Sequence, residues 1–107
     1  MKVYVVWYTY GSYDSVSDGT LAIYATREMA ETHTANAISY HKDKIVPAIN
    51  TLYQVNPRTD LDDWKDAMAN LDRIIQANPW HPNMQTDDPE SYMVYTYEDE
   101  VLDKLPV

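Results

Sequence analysis

Apolar residues follow two different rhythms along this chain. Over residues 2 to 10 they are nearly continuous, rich in Val, Tyr and Trp, the content of a β-strand. Side chains of a strand alternate, so Val3, Val5, Trp7 and Thr9 share one face and Tyr4, Val6, Tyr8 and Tyr10 the other. Residues 20 to 25 repeat the pattern, with Leu21 and Ile23 opposing Ala22 and Tyr24. Between these runs lies a polar stretch bracketed by the two glycines of the chain, Gly11 and Gly19, which predicts a β-hairpin with a long loop and its demanding turns at those glycines. A third strand is predicted over Tyr92, Met93, Val94, Tyr95, Thr96 and Tyr97, with Glu98, Asp99 and Glu100 in or just after it.

The second rhythm is helical. Leu61, Trp64, Met68, Leu71 and Ile75 recur at spacings of three and four, widened by Ala67 and Ile74, which predicts a strongly amphipathic helix from Thr59 or Asp60 to the stop at Asn78-Pro79. An earlier helix is predicted from an N-cap at Thr26 to about Lys44. Glu28 and Glu31 lie in its first turns and Lys42 and Lys44 at its end, matching the helix dipole. Its apolar side is modest: Met29, Ala30, Ala37 and Ile38, with His33 and His41 on or beside it. Between the two helices, Ile45 to Tyr53 reads as a short helix beginning near Pro47. Residues 79 to 90 hold three prolines and no periodicity, and read as a loop.

These elements predict a single α+β domain over residues 1 to 107. Its three-stranded antiparallel sheet, in the order β-β-α-α-β, is packed by two helices and has the first strand in the centre. The aliphatic face of the sheet is expected to take the helical core, leaving a tyrosine-rich face around Tyr4, Tyr8 and Tyr10. Three occupants compete for that second face: the amphipathic helix after Asp60, a second copy of the chain in a homodimer, or a partner or ligand.

Charge adds a second asymmetry. The chain has 17 acidic and 8 basic residues for a net charge of −9, and residues 60 to 107 alone hold twelve acids against three bases. The acids cluster as Asp60, Asp62, Asp63 and Asp66; as Asp87, Asp88 and Glu90; and as Glu98, Asp99 and Glu100. One interpretation is solubility alone. The sharper one is an acidic face that meets a basic protein, imitating a line of phosphates in the manner of a DNA mimic. So few basic residues argue against direct binding to nucleic acid or to anionic membranes, and no apolar run approaches the length of a membrane span. With no cysteine and no small-residue cleavage site, the expectation is a soluble cytoplasmic protein.

No motif names a reaction. His33 and His41 are two helical turns apart, too far to chelate one zinc from a single helix, so no metal and no cofactor is expected. Asp62 and Asp66 share a helix face, but their place in the first turns suits the dipole. The serines lack the flanking glycines of a nucleophile elbow. No catalytic residues are assigned. The competing class is a small enzyme or ligand-binding domain with a pocket in the Pro-rich loop around His81, and a third is a self-associating structural subunit.

The opening Met1-Lys2-Val3-Tyr4-Val5-Val6, the hairpin, and the helix start Ala25-Thr26-Arg27-Glu28-Met29-Ala30-Glu31 resemble many short bacteriophage and mobile-element proteins. In these a late strand carries acidic residues, as Tyr95-Thr96-Tyr97-Glu98-Asp99-Glu100 does here. The resemblance covers roughly residues 1 to 40 and 92 to 102; residues 45 to 91 depart from it. It implies a small α+β phage accessory protein without catalytic residues, of the kind that includes anti-CRISPR inhibitors of host defence. The resulting expectation is a non-enzymatic protein-binding module. Its acidic second half would occlude a basic host protein, a nuclease or other nucleic-acid-binding protein, in the host cytoplasm, with Trp80, Tyr95, Tyr97 or the Tyr4/Tyr8/Tyr10 face as anchors.

Overall fold

The computed structural model describes residues 1–11, 16–82 and 91–101. Three strands, β1 (Lys2–Tyr10), β2 (Ser17–Tyr24) and β3 (Met93–Glu100), form one antiparallel sheet in the order β2-β1-β3. The central place of β1 and the small α+β architecture are those the hydrophobic pattern predicts. Tyr10 pairs with Ser17 on one side of β1, and Lys2 with Glu100 on the other. Gly11 takes a positive φ of 113°, as its turn requires. Gly19 does not serve a turn: β2 begins earlier than its apolar run, and Gly19 lies opposite Tyr8 within the ladder. A Cβ there would come within 3.2 Å of the Tyr8 ring, so close approach is what glycine provides.

Helix α1 (Arg27–Tyr40) is capped by the Thr26 hydroxyl, which accepts from the Met29 N–H. It does not end before Pro47. A π turn (His41–Ile45) leads directly into α2 (Val46–Tyr53), and the backbone stays helical through both junctions. The Val46 N–H reaches back five residues to the His41 carbonyl, and this wider turn sits immediately ahead of the proline that can donate nothing. The first two predicted helices are therefore one rod of about 40 Å at 1.5 Å per residue. Helix α3 (Leu61–Gln76) then turns back along α2. Among the described residues no helix is long and apolar enough to cross a membrane.

The faces of the sheet are assigned opposite to expectation. Helix α1 lies on the face of Tyr4, Val6, Tyr8 and Tyr10, where Ala30 and Ala37, both fully buried, meet Val6 and Val94. Arg27 sits over the Tyr4 ring at 5.0 Å, Thr34 hydrogen-bonds Thr96 through their hydroxyls at 2.7 Å, and the His41 ring lies 4.7 Å from that of Tyr92. The helix thus runs along β1 in the direction of Tyr10. The reason is volume. The buried stripe of α1 is only Ala30, His33 and Ala37, so the sheet must supply the bulk, and tyrosine rings do so.

Nor does α3 cover the sheet. Its Leu71 and Ile75 pack with Ile45, Ala48 and Ile49, and with Tyr10 at the end of β1, while Leu61 remains 49% exposed. The α2–α3 pair projects beyond the sheet, and the molecule measures 61 × 27 × 23 Å. The face of Val3, Val5, Trp7 and Thr9 has no described helix on it.

Candidate functional site

All three histidines are buried, and His33 and His81 meet the hydroxyls of Tyr24 and Tyr92. After α3 the chain doubles back. Asn78 Oδ1 accepts from the Trp80 N–H at 2.9 Å, a local turn that drops Trp80 and His81 onto the sheet beside α1. The His33 Nε2 lies 2.7 Å from the Trp80 carbonyl oxygen. A carbonyl only accepts, so Nε2 carries a hydrogen. In the singly protonated ring Nδ1 is then the acceptor for the Tyr24 hydroxyl, 2.8 Å away.

His81 is 2% exposed. Its ring centre lies 4.1 Å from that of Tyr8, and its Nδ1 is 2.9 Å from the Tyr92 hydroxyl. Burial, with a smaller contribution from His33, lowers its pKa from the usual 6.5 to about 4. Burial likewise raises the Tyr92 phenol, with Tyr8 and Tyr10 adding to it, so Tyr92 stays protonated. His81 is thus a buried residue packed on Tyr8, Tyr10 and Tyr92, and residues 83–90 of the Pro-rich loop that the sequence pattern placed around it lie outside the described residues.

Beside this cluster is an open groove of about 310 Å³ lined by Tyr24, His33 and Trp80 together with Glu28, Met29, Thr32 and Asn36 of α1. Trp80, expected as an exposed anchor, is half-buried against His33, with ring centres 5.6 Å apart. Among the described residues no group of three or more His, Asp or Glu side chains is placed to hold a metal ion.

On the face of the sheet without a described helix, Tyr97 pairs with Val5, Tyr95 with Trp7 and Met93 with Thr9, while Ile23 lies opposite Val5 from β2. The Trp7 and Tyr97 rings meet edge to face at 6.4 Å, and Tyr95 and Tyr97 at 6.2 Å. Val3 and Val5 are buried there, Trp7 and Tyr97 half-buried, and Ile23, Met93 and Tyr95 are 61%, 61% and 44% exposed. Carboxylates stand at both ends of this face in the register, Asp99 opposite Val3 and Asp18 opposite Thr9. The sequence pattern singled out Tyr95 and Tyr97 and missed Trp7, Ile23 and Met93, which only the strand register brings beside them.

The two described acidic clusters are not assembled into one patch. Glu98, Asp99 and Glu100 are exposed at the Lys2 end of the sheet, where Lys2 Nζ pairs with Glu98 at 3.5 Å. Asp60, Asp62, Asp63 and Asp66 are exposed at the start of α3, at the far end of the projecting helices. Asp60 leaves the helix uncapped, its carboxylate accepting instead from the Thr59 hydroxyl. A nine-residue strand and a sixteen-residue helix laid end to end span about 54 Å, close to the long axis of the molecule. Asp87, Asp88 and Glu90 lie outside the described residues.

Comparison with family models, curated proteins and solved structures finds nothing that matches this chain.

Proposed function

We propose that this chain is a non-enzymatic protein-binding module that engages a basic partner protein through the open face of its sheet. The observation that supports it is the apolar and aromatic strip of Ile23, Trp7, Tyr95, Tyr97 and Met93, left without a described helix and bounded by Asp18 and Asp99. Large aromatic side chains flanked by charge are the composition of interface anchors. The partner's chemistry follows from the rim: an apolar patch bordered by Lys and Arg. A second copy of the chain would bring its own net charge of −9 against this rim, which disfavours self-pairing. In the phage setting implied by the sequence resemblance, the partner would be a host nuclease or another protein with a basic nucleic-acid channel, and the module an inhibitor of it.

The test is a photocrosslinking amino acid at position 95, with a control at position 58 in the turn beyond α2. A basic protein captured at 95 and not at 58 is expected. Its yield should fall between about 0.1 and about 0.5 M salt, as the screening length shrinks from about 10 to roughly 4 Å. Capture of a second copy of the chain, or of a basic protein whose binding survives both Trp7→Ala and Tyr97→Ala, would overturn the reading.

A further inference from the structure

The groove beside α1 has a chemistry of its own, independent of the open sheet face. Its walls are three rings set roughly at right angles. Tyr24 meets His33 at 5.8 Å and 62°, and Trp80 meets His33 from the other side at 5.6 Å and 71°. Hydrogen bonds fix this arrangement, since His33 is tied to the Tyr24 hydroxyl through Nδ1 and to the Trp80 backbone through Nε2. The ring nitrogens of His33 are therefore already engaged, and what the walls offer a guest is ring surface. The aromatic box is prearranged rather than assembled on binding.

The lip supplies the sign of the charge. Glu28 lines the groove, and among the described residues no basic side chain pairs with it. Arg27, its neighbour in sequence, is turned away toward the Tyr4 ring and Glu31. Among the described residues no Lys or Arg lines the groove. An anion at the start of α1 would face Glu28, and Thr26 already caps the first turn. A neutral apolar guest would leave the carboxylate unused.

We propose that Tyr24, His33 and Trp80 form an aromatic cage, with Glu28 at its mouth, that binds a quaternary or fully methylated ammonium head group. Indole and phenol faces attract such cations within about 6 Å of the ring centre. Methylation removes the N–H donors that would otherwise have to be met by Glu28, Thr32 and Asn36, the polar oxygen-bearing residues of the lining, and leaves a cation suited to the ring faces. The head group has two natural sources, a free choline-like molecule or a trimethylated lysine side chain.

The experiment is a titration of the full chain with choline, followed by the indole N–H resonance of Trp80 in two-dimensional NMR. A saturable shift is expected. The uncharged isostere 3,3-dimethyl-1-butanol should bind at least about tenfold more weakly, since it has the shape without the charge. Glu28→Gln, an exposed change that leaves the walls intact, should weaken choline severalfold, and Trp80→Ala should abolish the binding with the remaining backbone resonances in place. A trimethyllysine peptide that binds more tightly than choline assigns the head group to a protein side chain, and the reverse order assigns it to a free metabolite; both support the cage. Equal affinity for choline and its neutral isostere, no saturable shift at Trp80, or an affinity unchanged in Glu28→Gln would overturn it.

Discussion

On the α1 side of the sheet, tyrosine rings lie in or against the core, and the hydroxyls of Tyr24 and Tyr92 are engaged by histidines. On the other side, Trp7, Tyr95 and Tyr97 have similar rings, but they lie half-buried or exposed, with Ile23 and Met93 beside them. The residue types differ little between the two faces. What differs is burial, and on the covered face the Tyr24 and Tyr92 hydroxyls meet histidine nitrogens. A buried tyrosine or histidine is tolerated when its hydrogen-bonding groups are met, so the covered face is built as an aromatic network and the open one as a surface.

The largest effect should come from the residue that closes the network. His81→Ala removes a ring packed on Tyr8, Tyr10 and Tyr92 and strands the Tyr92 hydroxyl; it should cost about 3–4 kcal/mol in urea unfolding. Trp7→Ala on the open face should cost about 1 kcal/mol despite deleting a larger side chain. If the two cost the same, the faces are not different in kind.

The next effect is pH-dependent. The unfolded chain takes up a proton on His81 near pH 6.5, whereas the folded chain does so only near pH 4. Between those values the unfolded state binds more protons, so this contribution is intact above about pH 6.5 and is lost progressively as pH falls toward 4. The loss is at most about 3 kcal/mol. His81→Phe keeps a ring and cannot titrate, so its stability should fall less steeply over the same window in parallel unfolding curves.

Smaller still, Tyr24→Phe leaves the Nδ1 acceptor of His33 without its donor and should cost about 1–2 kcal/mol by the same measurement. Least of all, Ile23→Thr, at a position 61% exposed, should change stability by no more than about 0.5 kcal/mol while weakening capture of a partner at position 95. A large stability loss there would place Ile23 in a core instead.

Much of this architecture is legible from the chain. The alternation of residues 2 to 10 gives the strand and divides its side chains correctly between two faces. The period of Leu61, Trp64, Met68, Leu71 and Ile75 gives α3, and Thr26 marks the start of α1. Which face the helix takes is not legible, because both faces of β1 are apolar and the deciding factor is the small volume of Ala30 and Ala37 on another element. The meeting of His33 and Trp80 is equally hidden. His33 touches the Trp80 carbonyl, 47 positions further along the chain, and they come together only because α3 returns the chain to the sheet. The acidic clusters show the converse limit. Charge counted along the sequence carries no distances, so Asp60 to Asp66 and Glu98 to Glu100 look alike in composition and lie toward different ends of the molecule.

The π turn between α1 and α2 also sets a rotational phase. Each residue of an α-helix advances the azimuth by about 100°, so one residue more or fewer turns everything downstream by that angle. Upstream, the phase is locked by Ala30, His33 and Ala37 on the sheet; downstream, it is locked by Ile45, Ala48 and Ile49 against α3. The wider turn at His41–Ile45 is the offset that reconciles the two. Deleting a single residue there would restore an even helix and swing the α2–α3 pair around its axis, pulling Ile45 and Ile49 away from Tyr10. In this chain an indel within five residues is thus equivalent to re-aiming a third of the molecule.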